Sequence, residues 1–184
     1  LFTDDLLKDL DDRQVLAVLG HELGHARHGH LWLFFLFTNV VLSLGWLAQN
    51  MQYSGWIPSL PLPADAGQEV ATVVTSLLVL ALIWRGLFGF LSRACERQAD
   101  LAGAQLVGDP TVMEEALKSV ARLSGHPETA PNWRHYSIAE RVEFLRRVRD
   151  NPDLAKAHHR HMRFSLVLLL AVLVASLALN CYLS

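Results

Sequence analysis

The chain has 184 residues, 52% of them hydrophobic, with a formal net charge of −2 and a positive mean hydropathy. That balance excludes an ordinary soluble domain, and the near-neutral charge gives no footprint for nucleic acid. The two cysteines, Cys95 and Cys181, make no disulfide framework, and Cys95 reads as a buried inert thiol.

The first element in chain order is a helix. Asp11 or Asp12 supplies its N-cap, and Gln14 lies three residues after Asp11 as in a capping box. Val15, Leu16, Val18, Leu19 and Leu23 then give an apolar face at helical spacing. Inside this helix stands His21-Glu22-Leu23-Gly24-His25, an HExxH motif. Positions i and i+4 of a helix share a face, so His21 and His25 can offer two imidazoles to one Zn²⁺, with Glu22 one step round as a general base. Taken singly, either histidine reads as a surface or satisfied core residue; the motif on a capped helix favours metal.

A third ligand is needed. A metzincin would continue as HExxHxxGxxH, but this chain has His28, Gly29, His30 and Leu31, so that register misses. His28 and His30 read as an interfacial stretch before the next element. The segment 31–49 carries no charge, 70–91 carries only Arg85, and 164–183 carries none. Each has about the 20 residues needed to cross a bilayer core of roughly 30 Å. Trp32, Trp46, Trp56, Trp84 and Tyr182 fall at or near their ends, as interfacial aromatics do. The loop 51–69 holds no Lys or Arg and has three prolines, whereas twelve basic residues lie between Arg93 and Arg163. The positive-inside rule then turns the first two spans into a hairpin that leaves HExxH and Glu96 on the cytoplasmic side.

After the hairpin, Glu96-Arg97-Gln98-Ala99-Asp100 reads as part of a second helix running to Val107. Glu96 and Asp100 are again i and i+4, so one can bind a metal while the other orients a ligating imidazole. Standing alone, they read as a solvated helix face with Arg93 and Arg97. Gly108-Asp109-Pro110 predicts a break, 112–123 a helix, and 125–132 a Gly/Pro loop able to border a cleft. Ser137 and Glu140 form a second capping box opening a helix through Arg149. His158, His159 and His161, with Arg160 and Arg163, read as a membrane-surface anchor before the last span.

These residues together resemble a family. HELGH, a transmembrane hairpin and then Ser92 through Asp100 are similar to the integral-membrane gluzincin zinc metallopeptidases, the HtpX-like and type I CAAX prenyl protease-like enzymes. Phe2-Thr3-Asp4 through Asp12 resembles that family's approach to the HExxH helix from an edge strand. His135 through Arg141 resembles its downstream segment, with Tyr136 where a proline is usual. The resemblance implies one Zn²⁺ per chain held by His21, His25 and Glu96, with Glu22 as general base. It also implies that Asp100 supports a ligand from behind, that His135 stabilises the oxyanion, and that Arg141 organises that corner of the site.

The expectation is therefore a mainly α fold. A zincin-like helical catalytic core is combined with transmembrane helices, and the small edge sheet is mostly missing because the sequence begins within the strand-to-helix approach. Residues 1–150 form the metallopeptidase domain, interrupted by the hairpin at 31–49 and 70–91. Residues 151–163 are a basic juxtamembrane segment, and 164–183 are a C-terminal span, where HtpX-like proteins place their spans before the glutamate. The expected function is a membrane zinc endopeptidase acting on membrane or membrane-proximal proteins, and the resemblance implies a bacterial inner membrane as its location. The alternative is a non-catalytic membrane scaffold that keeps the fold; the intact Glu22 favours the enzyme. The substrate and the oligomeric state are left open by the residues.

Overall fold

The computed structural model describes residues 9–56, 66–124, 127–129 and 136–183. Among them the fold is helical throughout, with no strand, as the mainly α reading predicts. The elements are α1 (Asp12–Arg27), α2 (His30–Tyr53), α3 (Ala66–Ile83), a π-helical turn (Trp84–Phe88), α4 (Gly89–Val107), α5 (Pro110–Ser124), α6 (Ile138–Asp150) and α7 (Asp153–Leu183). The expected entry to the HExxH helix at Phe2–Asp4 lies outside the described residues.

Local chemistry accounts for the helix ends. Asp11, rather than Asp12, caps α1: its carboxylate accepts from the Gln14 N–H at 2.8 Å, and Gln14 Oε1 accepts from the Asp11 N–H at 3.2 Å. Gly29, at φ +64°, turns the chain between α1 and α2 where a side chain would be strained. Gly108 ends α4 at φ +73°, and Pro110 opens α5 at the first helical position, where its missing N–H costs nothing. Asp109 accepts from the Thr111 N–H at 2.9 Å beside it. The second capping box is formed as predicted, with Ser137 Oγ accepting from the Glu140 N–H at 3.3 Å and Glu140 Oε2 accepting from the Ser137 N–H at 2.9 Å.

The described residues fall into two compact units, one within Leu1–Leu31 and Gly89–Arg163, the other within Trp32–Phe88 and Phe164–Ser184. In the first, α1 lies against α4 along a seam of small residues. A Cβ added at Gly20 would come within 2.9 Å of the Gly103 Cα, and one at Gly24 within 2.8 Å of the Ala102 Cβ. At Gly103 it would sit 2.5 Å from the Ala17 carbonyl oxygen and 2.9 Å from Met113 Sδ. Around the seam, Leu101, Met113, Leu117, Val142, Leu145 and Val148 close a buried core shared by α4, α5 and α6.

The second unit is apolar with a polar spine. Ser43 Oγ and Ser176 Oγ share a hydrogen bond of 2.7 Å, Asn50 donates to Asn180 Oδ1 at 2.9 Å, and Asn180 donates to the Ser43 carbonyl at 3.1 Å. Such pairs satisfy polar groups that hydrocarbon could not. Phe37, Trp84 and Phe88 cluster, with the Trp84 and Phe88 rings stacked at 5.2 Å. Three helical runs, His30–Tyr53, Val73–Val107 and Asp153–Leu183, are long and apolar enough to cross a membrane. Large apolar side chains such as Leu31, Trp32, Leu82, Phe164 and Val174 face outward from them. The chain is built as an integral membrane protein.

The seam makes a direct forecast. Gly103→Ala should destabilise the detergent-solubilised protein by about 1–3 kcal/mol, the usual cost of overpacking. Gly86→Ala, at a position where an added Cβ meets nothing within 4 Å, should leave the melting temperature nearly unchanged. Equal melting temperatures for the two variants would contradict the close α1–α4 approach.

Candidate metal centre

The helical repeat of α1 stacks His21 above His25, and their Nε2 atoms face each other at 3.2 Å. Across the glycine seam, α4 carries Glu96 to the same point. Glu96 Oε2 lies 3.9 Å from His21 Nε2, and Oε1 lies 3.7 Å from His25 Nε2. Tetrahedral bonds of about 2.0–2.1 Å put neighbouring ligand atoms roughly 3.3 Å apart, so this donor set needs only small adjustments to hold Zn²⁺. The three residues are the one such group among the described residues. Glu96 is buried, and Glu22, on the neighbouring position of α1, is exposed.

Asp100, one turn beyond Glu96, is wholly buried and shared between two partners. Arg141 of α6 donates to it through Nε at 2.8 Å and also through Nη2, in the two-pronged geometry that guanidinium and carboxylate favour. His21 Nδ1 lies 2.9 Å from Asp100 Oδ1. A carboxylate so paired is ionised and can only accept, so His21 Nδ1 carries the hydrogen. The Nε2 lone pair of His21 then points at His25 and Glu96, as a metal ligand must. Arg141 Nη1 also reaches Glu96 Oε2 at 3.3 Å. Glu96, Asp100 and Arg141 leave a formal surplus of one negative charge beside two imidazoles, an environment that favours a dication. Burial alone would lower the Arg141 pKa, but the Asp100 charge, its hydrogen bonds and Glu96 outweigh burial and raise it. Burial and the neighbouring His21 lower the pKa of His25, against the pull of Glu96 and Glu22, which keeps its imidazole neutral and able to ligate.

The structure therefore brings together His21, His25, Glu96, Asp100 and Arg141; His135 lies outside the described residues. Tyr136, next to it, sits under the Arg97 guanidinium at 3.9 Å from the ring centre. Cys95 is fully buried and outside the ligand group.

Sequence reasoning missed a second layer. His30, read as interfacial, is 2% exposed, with its Nδ1 2.7 Å from His25 Nδ1 and its Nε2 3.0 Å from Gln98 Oε1. Gln98 Nε2 continues to His159 Nδ1 at 2.8 Å. His158, read with His159 as a surface anchor, donates from Nε2 to the Ala94 carbonyl at 2.9 Å. The available signal was slight: Ala94 and Gln98 share an α4 face at i and i+4, and Gly29 lets the chain fold His30 back beneath His25.

The buried pair can be tested by a double-mutant cycle. Asp100→Asn should cost about 3–5 kcal/mol of stability, because it strands a buried guanidinium. Asp100→Asn combined with Arg141→Gln should cost clearly less than the sum of the two single changes. Simple additivity in denaturant melts would contradict the pairing.

Comparison with known proteins shows the family. The sequence profile of Peptidase family M48 matches residues 1–149. A protease HtpX homolog of Methylibium petroleiphilum is 28% identical over 137 residues, covering 70% of this chain and 47% of that protein. One from Methanopyrus kandleri is 26% identical over 170 residues, covering 79% of this chain and 51% of its own length. The homolog of Burkholderia mallei is 28% identical over 137 residues, with 70% and 47% covered. The chain thus spans about half the length of the curated relatives it matches, and no solved structure matches it. A profile match over residues 1–149, most of the chain, places it in Peptidase family M48.

Proposed function

We propose that this chain carries the metal centre of a membrane-bound zinc endopeptidase that hydrolyses peptide bonds of membrane or membrane-proximal proteins. The observation that supports it most is the convergence of two imidazole Nε2 atoms, 3.2 Å apart, with a buried carboxylate delivered from a different helix. His21, His25 and Glu96 would hold one Zn²⁺. When bound there, zinc polarises the substrate carbonyl and lowers the pKa of a water towards neutrality.

The rest of the chemistry belongs to the protein's own side chains. Glu22, exposed on the open side of α1, takes a proton from the attacking water and delivers it to the departing amine nitrogen. The C–O bond forms first, moving the carbonyl electron pair onto oxygen; the C–N bond then breaks as the protonated nitrogen departs and the carbonyl re-forms, leaving one carboxylic acid and one amine. Asp100 fixes His21 through Nδ1, and Arg141 fixes Asp100 while steadying Glu96. His135, assigned by resemblance, donates to the carbonyl oxygen as charge builds there, a role worth about 3 kcal/mol in typical oxyanion sites. The excess of Lys and Arg outside the 51–69 loop supports a cytoplasmic orientation of this machinery, and the resemblance to HtpX-like proteins supports a bacterial inner membrane.

The test uses full-length protein purified without chelators. Native protein should hold close to one zinc per chain, and Glu96→Ala should lose most of it. Glu22→Gln should keep its zinc while cleavage of a membrane-protein substrate falls by about 10²-fold or more. Zinc-free native protein would overturn the peptidase reading. Zinc retained with cleavage unaffected by Glu22→Gln would overturn the assigned base.

A further inference from the structure

Behind the proposed ligands lies a continuous hydrogen-bonded chain that their identity does not require. It runs from His25 Nδ1 to His30 Nδ1 at 2.7 Å, from His30 Nε2 to Gln98 Oε1 at 3.0 Å, and from Gln98 Nε2 to His159 Nδ1 at 2.8 Å. His30 and Gln98 are both buried, so the bond between them is made away from bulk water, while the contacts to His25 and His159 at the two ends are partly buried. The His28 ring closes the outer side, stacked against His30 at 5.9 Å and tilted against His159 at 5.4 Å.

The direction of every bond in this chain follows from one choice. If His25 Nε2 is a metal ligand, its lone pair is committed and the ring hydrogen must sit on Nδ1. His25 Nδ1–H then donates to His30 Nδ1, which leaves the His30 hydrogen on Nε2. That hydrogen is donated to Gln98 Oε1, and the Gln98 amide N–H₂ donates to His159 Nδ1. The amide orientation in the structure, oxygen towards His30 and nitrogen towards His159, matches this direction and not the reverse. Each member is left with one role it can fill.

We infer that His30, backed by Gln98 and His159, is a positioning residue that locks the His25 imidazole in the tautomer and orientation needed for metal binding. Asp100 holds the other imidazole through a carboxylate, whereas His25 is held by a neutral acceptor that cannot add a further negative charge to the centre. The two histidines of one motif are thereby supported by chemically different partners. Outer hydrogen bonds of this kind usually change metal affinity by about 10–100-fold.

This inference rests on the zinc reading, and the experiment separates the two. Zinc affinity of the full-length protein is measured by competition with a chromophoric chelator for native, His30→Leu and His30→Asn forms. His30→Leu removes the acceptor and should weaken binding by about 10–100-fold. His30→Asn places an amide oxygen near the lost Nδ1 and should stay within about threefold of native. Folded His30→Leu protein with native affinity would overturn the inference, and so would equal weakening in both variants, which marks a packing role only. Should His30→Leu not fold, ¹⁵N spectra of histidine-labelled, zinc-loaded native protein decide the matter. They should show His30 protonated on Nε2 and His25 on Nδ1, and the opposite tautomers would overturn the assignment. A native protein that takes up no zinc would instead remove the metal reading itself.

Discussion

The approach of α1 to α4 is the constraint on which the site depends. Side chains ordinarily keep packed helix axes about 8–10 Å apart. Here Gly20 and Gly24 meet Ala99, Ala102 and Gly103, and an added Cβ at any of the three glycines would fall inside contact distance of its neighbours. The short reach of a histidine and a glutamate can close on a shared point only when two backbones come this near. Helix propensity is given up at three positions, since glycine inside a helix costs roughly 1 kcal/mol relative to alanine. The return is a geometry in which His21 and His25 face Glu96 across a gap of one ion.

Electrostatics then stabilise what packing allows. Burying Glu96 and Asp100 side by side would be costly without a cation, because like charges in a low dielectric repel strongly. Arg141 meets that need from α6, and its contacts to both carboxylates tie a third helix to the pair. The capping box at Ser137 and Glu140 starts α6 at the point that puts Arg141 within reach, so a local sequence signal positions a long-range ion pair. The same economy appears in the apolar unit, where Ser43, Asn50, Ser176 and Asn180 satisfy one another instead of facing hydrocarbon.

Much of this was legible in the sequence because it is local. HExxH, both capping boxes, the break at Gly108 and the three apolar runs each follow from spacing within a few residues. Spacing alone names Glu96 and Asp100 without telling them apart, since both lie on one α4 face; the family resemblance assigns their roles, and the fold shows Glu96 turned to the Nε2 atoms and Asp100 to His21 Nδ1. His30, Gln98 and His159 were illegible for a physical reason. Their connection spans separations of 68 and 61 residues and depends on tertiary packing that no periodicity encodes. Histidines beside a basic, apolar segment look like a membrane anchor until α4 is placed beneath them.

The central claim is a single zinc held by two imidazoles and one carboxylate. X-ray absorption at the zinc edge of the zinc-loaded, full-length protein addresses it most directly. The account predicts a first shell of nitrogen and oxygen at about 2.0–2.1 Å, with the outer-ring scattering of two imidazoles. A sulfur shell near about 2.3 Å, bringing Cys95 into the site, or a shell lacking imidazole scattering would contradict it.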